Sequence, residues 1–312
     1  MDNLILAVNT VLPFLLYISF GYGVRAAKIV DEKFMNQLNG LIFMAFFPCT
    51  MFSNVYDIPE GMTVDIKLAV CAIASILIVI GLSMLIVPHL VQGNPQRGVI
   101  VQAIYRSNFV LFAIPMTEHV FGQEGGSLAA MMIAFVIPTY NSTAVMILEY
   151  YHGKAGNPLQ LLKNILTNPL ICGALTGVFF RVLHIPIPSP IYGAISTIGD
   201  VTTPIALFAL GGTLHFSAVH GNLKYLVPTL TFKLAILPIF MLLASIALGL
   251  TPIERFMLFI MYATPVATSS FAMAKAMGGD GELAGQFVVF STSFSIVTLF
   301  LWIFTLKTIG LI

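Results

Sequence analysis

Two stretches of this 312-residue chain hold polar side chains where nearly everything around them is apolar. The first is Tyr105-Arg106-Ser107-Asn108, which sits inside an apolar run seven residues ahead of Pro115. The second is Ala263-Thr264-Pro265-Val266-Ala267-Thr268-Ser269-Ser270, where a proline lies among hydroxyls in another such run. A proline removes one backbone donor and pushes away the carbonyl four residues earlier. In hydrocarbon the freed groups must find partners, so a broken helix survives only where it faces protein or a wet cavity. Two helices broken at matching places would bring half-helix N-termini together at a crossover marked by Pro115 and Pro265. Such ends carry partial positive charge and spare N–H groups, which suit a carboxylate. The chemistry expected here is binding of a small organic anion by Arg106, Ser107, Asn108, Thr264, Pro265, Thr268 and Ser269.

Arg106 has two readings. A guanidinium at membrane depth either offers a fork to a substrate carboxylate or serves structure. The structural reading pairs it with Asp200 or Glu118, or lets it snorkel to the surface. Asp200, in Gly199-Asp200-Val201-Thr202-Thr203-Pro204, reads as a helix N-cap at a break, a partner for Arg106 or an ion-coupling carboxylate. Lys233, five residues before Pro238, reads as a buried cation that answers a carboxylate or backbone carbonyls. Asn141, in Pro138-Thr139-Tyr140-Asn141, reads as a helix-to-helix hydrogen-bonding group. Gly173-x-x-x-Gly177 reads as a packing seam, and the three cysteines, Cys49, Cys71 and Cys172, as small core residues. The sequence holds no HExxH, GxSxG or Walker A loop, no metal-ligand spacing among its six histidines, and no catalytic pair of carboxylates. It calls for no enzyme activity and no cofactor, and whether Na+ or H+ is coupled stays open.

The elements that must position these residues follow from composition. Hydrophobic residues make up 58% of the chain and charged residues only 9%, with a mean hydropathy of +0.96. A soluble domain carries about 25% charged residues, so this surface must meet a lipid bilayer. The net charge of +1 leaves no basic field for nucleic acid. Spans of roughly 20 apolar residues cross about 30 Å of hydrocarbon. That ruler predicts ten, near 4–24, 34–55, 65–87, 98–120, 127–151, 161–183, 190–214, 223–249, 253–276 and 283–306. The first span has an acidic start and reads as retained, with no cleavable signal. Turn residues fill the joints, and no joint is long enough for a soluble domain.

Lys and Arg are biased toward the odd-numbered joints, which hold Arg25, Lys28, Lys33, Arg97, Lys154, Lys163, Lys224 and Lys275. The second joint is acidic, with Asp57, Glu60 and Asp65. By the positive-inside rule the odd joints are cytoplasmic and both termini lie outside a cell membrane crossed many times. The halves echo each other at one offset. Pro13 and Pro169, Gly21 and Gly177, Pro48 and Pro204, and Asn108 and Thr264 are each 156 residues apart. With five spans per half, residues 157–312 would repeat residues 1–156 upside down, an arrangement that in transporters puts the site at the midplane.

In these residues the chain resembles the auxin efflux carrier family, which includes plant PIN carriers and bacterial malate and malonate carriers. The likeness runs nearly the whole length. It rests on Tyr22-Gly23-Val24-Arg25-x-x-Lys28-Ile29, Asn39, Pro48, Glu149-Tyr150, Asn168-Pro169 and Lys233-x4-Pro238. Ser107-Asn108-x6-Pro115 and Thr264-Pro265-x4-Ser270-Phe271-x-x-Ala274-Lys275 are similar to the family's crossing helices. The resemblance implies an all-α membrane protein of ten helices in two inverted repeats. Spans 1, 2, 6 and 7 would be a scaffold and 3–5 and 8–10 a moving domain, with helices 4 and 9 broken and crossing. It implies an elevator carrier with Asn108 touching substrate beside Pro265, and allows a homodimer through the scaffold. The plant pattern has proline where Ser107 stands and lacks Arg106, and its long central loop is missing here. Those departures favour a smaller, more strongly anionic substrate, a mono- or dicarboxylate, over auxin. The rival readings are a cation-coupled exporter or antiporter working through Asp200 and a transporter-like membrane sensor.

Overall fold

A computed structural model describes residues 2–58, 66–152, 158–215 and 218–312. Glu60 and Asp65 of the acidic joint, and Lys154 in the central turn, lie outside the described residues, as does the expected boundary between the halves. The described residues are helical, with no strand beyond one isolated bridge.

The first half contains α1 (Asp2–Ala26), α2 (Glu32–Leu41), a π turn (Ile42–Phe46), α3 (Phe47–Tyr56), α4 (Ile66–Leu90), α5 (Asn94–Tyr105), α6 (Phe109–Phe121) and α7 (Gln123–Tyr151). The second contains α8 (Pro158–Leu166), α9 (Pro169–Val182), α10 (Ser189–Thr213), α11 (Val219–Thr231), a second π turn (Phe232–Ile236), α12 (Leu237–Ala247), α13 (Pro252–Ala263), α14 (Ser269–Ala276) and α15 (Gly281–Thr308).

Local chemistry explains where the helices start. Asp31 accepts a hydrogen bond from the Phe34 N–H at 2.7 Å, and Asp280 accepts from Leu283 at 2.9 Å. Asn168 caps α9 ahead of Pro169, and Thr251 with Glu254 forms a reciprocal capping box ahead of Pro252. Each satisfies backbone donors that a helix start leaves open.

Among the described residues seven helices are long and apolar enough to cross a membrane, and α8 with α9, bent by 66°, makes an eighth. The outer face is apolar: Phe20, Leu85, Leu90 and Phe240 are all more than half exposed. The fourth and ninth expected spans are the exceptions. They divide into α5 and α6, of 12 and 13 residues, and α13 and α14, of 12 and 8. At about 1.5 Å per residue none of these pieces crosses the hydrocarbon alone.

α1 packs along α10, and α3 along both α9 and α10. The Gly173–Gly177 seam is real: a Cβ on Gly173 would stand 2.4 Å from the Pro48 carbonyl oxygen, and one on Gly177 2.8 Å from that of Phe52. The cysteines correct the sequence reading. Cys172 is exposed, and Cys49 and Cys71 are only partly covered, because all lie on outward faces of their helices.

Two π turns interrupt the helical spans that hold Pro48 and Pro238. Pro204 sits inside regular α10, whereas the π turns precede Pro48 and Pro238 by the same spacing. Pro238 cannot donate the helical hydrogen bond to the Leu234 carbonyl. The Trp302 indole does so instead at 2.9 Å, with its ring edge-on to Phe259. Trp302→Phe keeps the ring and removes the donor, so it lowers stability by about 1 kcal/mol in thermal unfolding of the detergent-solubilised protein.

Candidate functional site: a helix crossover rich in donors

α5 ends as Arg106 turns extended (φ −86°, ψ 126°), and α13 ends as Thr264 does the same (φ −78°, ψ 157°). Pro265 explains the second break, since a residue before proline is pushed out of the helical region. No proline follows Arg106, and there the extended backbone is held by tertiary pairing. Ser107 forms an antiparallel bridge with Val266, and the Asn108 N–H donates to the Pro265 carbonyl at 2.8 Å. The Val266 N–H in turn donates to Ser291 Oγ on α15 at 3.0 Å. The two broken segments therefore touch through their backbones. α6 and α14 both begin at this junction, where the Ser270 and Phe271 N–H groups donate to the Ala267 and Thr268 carbonyls at 2.9 and 3.3 Å.

Pro115 takes no part in the junction. It lies within α6, six residues beyond its first residue, where the helix runs on regularly. The crossover is made by residues 106–108 and 264–268 instead.

A cavity of about 110 Å³ opens beside the junction. The smallest pocket that holds a water occupies about 10–15 Å³ on this measure, so this one has room for a small molecule. Arg106, Ser107, Asn108, Thr268 and Ser269 line it from the crossover, and Tyr140 and Asn141 from α7. Thr50 and Asn54 on α3 and Thr203 on α10 close it from the far side. Thr264 and Pro265 do not line it. The Thr264 hydroxyl turns back to the Ile260 carbonyl at 3.1 Å, and Pro265 contributes only the carbonyl that holds Asn108.

Arg106 is 2% exposed. Its Nη2 donates to Asn141 Oδ1 and, at 2.8 Å, to Ser269 Oγ. Its Nη1 reaches Met273 Sδ at 2.9 Å and Gln102 Oε1 at 3.4 Å, and its Nε has no partner. Neither Asp200 nor Glu118 pairs with it: among the described residues, the one ion pair within 4.0 Å joins His215 and Glu32. Asp200 is exposed in the body of α10, so it is not an N-cap either. It lies one turn before Thr203. Lys233 is fully buried, and its Nζ donates to Ser107 Oγ at 2.5 Å and stands 5.8 Å from the Tyr262 ring centre.

These bonds fix the polarity of the site. Arginine and lysine can only donate. Asn141 spends its acceptor on Arg106, leaving its amide N–H groups on Met51 Sδ at 2.8 Å. Ser269 and Ser107 each accept from a cation, so their own hydrogens point elsewhere. The strong donors left over are Arg106 Nε, which has no partner, Nη1, which meets Met273 sulfur and only a long contact to Gln102 Oε1, and the Asn141 amide, which meets Met51 sulfur. An unsatisfied buried donor costs about 1–3 kcal/mol. Around Arg106 the strong donors outnumber the acceptors that reach them, and no carboxylate lines the cavity.

Sequence reasoning missed Tyr140, Gln102, Thr50 and Asn54. The Tyr140 hydroxyl donates to the Met261 carbonyl at 3.1 Å, tying α7 to the end of α13. The 50/54 pair had a signal, two polar residues four apart just after Pro48, which share one helix face.

A multi-pass helical chain with two broken helices meeting at a polar cavity defines a membrane transporter. The comparisons agree. The membrane transport protein family matches residues 6–155 and 157–303, so the chain belongs to that family, the auxin efflux carriers. The chain is 23% identical over 304 residues to an uncharacterized transporter of Methanocaldococcus jannaschii, covering 95% of this chain and 97% of that one. It is 22% identical over 301 residues to another of Methanothermobacter thermautotrophicus, with the same coverage. A Rhizobium meliloti protein named "Putative malonate transporter" is 23% identical over 304 residues, covering 92% of each chain.

Proposed function

We propose that this protein is a secondary or facilitative carrier of a small organic anion, a mono- or dicarboxylate, and that the anion binds at the crossover. The observation that carries this is the surplus of buried donors around Arg106, with no carboxylate beside it. Carboxylate oxygens would supply the missing acceptors and accept the guanidinium fork, with the starts of α6 and α14 adding favourable dipoles. A cationic substrate would meet a buried guanidinium and no carboxylate in the cavity wall. The name of the Rhizobium meliloti relative supports a compact dicarboxylate.

The mechanism we propose is elevator-type alternating access. The cavity has crossover and α7 residues on one wall and α3 and α10 residues on the other. Such a division suits a moving body of α4–α7 and α11–α15 sliding on a scaffold of α1–α3 and α8–α10. Ten membrane segments then result, counting each broken pair once, as two inverted repeats of five. The charge bias of the joints would place both termini outside the cell membrane, and the outward scaffold faces suit a homodimer.

The test is a thermal-shift screen of the detergent-solubilised protein against mono- and dicarboxylates, amines and neutral polyols. A ligand that binds the folded state raises its melting temperature by mass action, by about 2.7 kcal/mol of stability at a hundredfold excess over Kd. Carboxylates should shift the midpoint and amines should not; shifts with amines alone would refute the reading.

One observation favours a coupled version. Asp200 shares a helix face with Thr203, which lines the cavity. If a cation rides with the anion, Asp200→Asn uncouples uptake from the sodium or proton gradient while anion binding persists. Unchanged gradient dependence removes this version.

A further inference from the structure

Lys233 is the buried charge that anion binding by Arg106 does not use. It comes from the π turn between α11 and α12, and approaches the crossover from behind Ser107, whereas Arg106 lies on the cavity side. Its side chain is fully covered, and among the described residues its hydrogen-bond partner is Ser107 Oγ at 2.5 Å and its other electrostatic contact the Tyr262 ring. Among the described residues no carboxylate lies within 4.0 Å of it. The Tyr262 hydroxyl is engaged elsewhere, with Ser75 Oγ at 2.8 Å.

A buried, unpaired cation is expensive to keep, so its place needs a reason. The fold supplies that place at some expense. The π turn is a local departure from α geometry, followed by Pro238 and with its Leu234 carbonyl taken by the Trp302 indole. The turn delivers the ammonium to Ser107, a crossover hydroxyl that also lines the cavity.

We infer that Lys233 is a specificity-determining positioning residue, which holds Ser107 as a donor into the cavity and provides the second positive charge that makes the site prefer a dianion over a monoanion of the same shape. This rests on the anion-carrier reading and deepens it. Because the ammonium can only donate, Ser107 accepts from it, and the hydroxyl hydrogen turns between Tyr140 and an occupant of the cavity. Arg106 meets one carboxylate directly. Lys233 acts on the other through Ser107 and through space, in a site with few competing charges and little water. Its ammonium does not itself touch the substrate.

The experiment compares malonate with malonamate, in which one carboxylate is replaced by a neutral amide of nearly equal size. Binding to the purified full-length protein in detergent is measured by calorimetry, with melting temperatures recorded for every variant. Wild type should bind malonate roughly tenfold or more tightly than malonamate, the scale of one extra charge pair at intermediate distance in a poorly screened site. Lys233→Met should collapse that ratio toward one mainly by weakening malonate, and Lys233→Arg should restore most of it. Ser107→Ala, which keeps the charge and removes the hydroxyl, should weaken both ligands while keeping a preference for malonate.

A folded Lys233→Met protein with the wild-type ratio would overturn the inference. So would a wild-type protein that binds the two ligands equally well, a result that needs no variant to fold. Equal, tight binding of both would leave the anion reading standing. Wild type binding no carboxylate at all would remove that reading and this inference together.

Discussion

Arg106→Gln should leave a protein that folds, inserts and no longer carries its anion. Loss of a charged, desolvated hydrogen-bonding partner costs about 2–5 kcal/mol, so anion affinity falls by roughly 30-fold to several thousandfold. Stability should move the other way or not at all. The guanidinium is buried without a carboxylate, and its removal relieves a desolvation penalty. The amide of glutamine is short of Ser269 but keeps some donor capacity. Arg106→Lys should rescue little, because an ammonium cannot reproduce a planar fork that spans Asn141, Ser269 and a ligand. Proteoliposome uptake, read beside the melting temperature, checks both halves. Lost uptake with a sharply lowered melting temperature would make Arg106 a structural residue instead.

The second large effect lies far from the site, at the crossing of α1 and α10. A Cβ on Gly21 would stand 1.9 Å from the Phe208 carbonyl oxygen, and one on Gly211 the same distance from that of Ile18. The two contacts are reciprocal: each helix sets a glycine against the other's backbone. No side-chain adjustment relieves a clash with backbone, so the helices must part along their shared face. Small residues at such a crossing let helix backbones pack closely in a membrane. Gly211→Ala or Gly21→Ala should destabilise the protein by about 3 kcal/mol, the upper end for overpacking. Gly23, two residues from Gly21, has nothing within 4 Å of its would-be Cβ. Gly23→Ala should be neutral or slightly stabilising, since a helix gains about 0.5–1 kcal/mol when alanine replaces an interior glycine. Thermal unfolding and the monodisperse fraction after solubilisation separate the pair. Equal behaviour of Gly21→Ala and Gly23→Ala would contradict the packing described.

The contrast between residues that sequence could place and those it could not has a physical basis. Membrane spans are legible because one solvent sets one rule, about 20 apolar residues each. The breaks are legible because polar backbone at that depth demands a partner, and Arg106-Ser107-Asn108 and Thr264-Pro265 announce it. Pro115 misled for a related reason. A proline inside a helix leaves one carbonyl without its usual donor, a defect a helix tolerates as a bend, whereas a true break needs several residues held extended by a partner chain. In α5–α6 that partner is Val266 and Pro265, more than 150 residues away, and no local signal reveals it.

Partner choice was the least legible feature. Arg106 was expected to seek Asp200 or Glu118, because opposite charges attract at any separation written on paper. Which way a side chain faces depends on the rotation of its helix about its axis, which tertiary packing sets. Asn141 turned out to face the guanidinium and Asp200 did not. Lys233 was harder still, since it sits in a π turn just before Pro238 whose Leu234 carbonyl is satisfied by Trp302, 64 residues beyond that proline.

A crossover built to hold acceptor-rich anions should exchange them across a bilayer. Counterflow in proteoliposomes tests this most directly. Vesicles preloaded with unlabelled malonate receive labelled malonate outside, with glycerol and an alkylamine as competitors of similar size. The donor-rich site predicts rapid exchange of label in wild type, inhibition by other small carboxylates, indifference to glycerol and amine, and no exchange with Arg106→Gln. Exchange blocked by the amine but not by carboxylates, or exchange undiminished in Arg106→Gln, would contradict it.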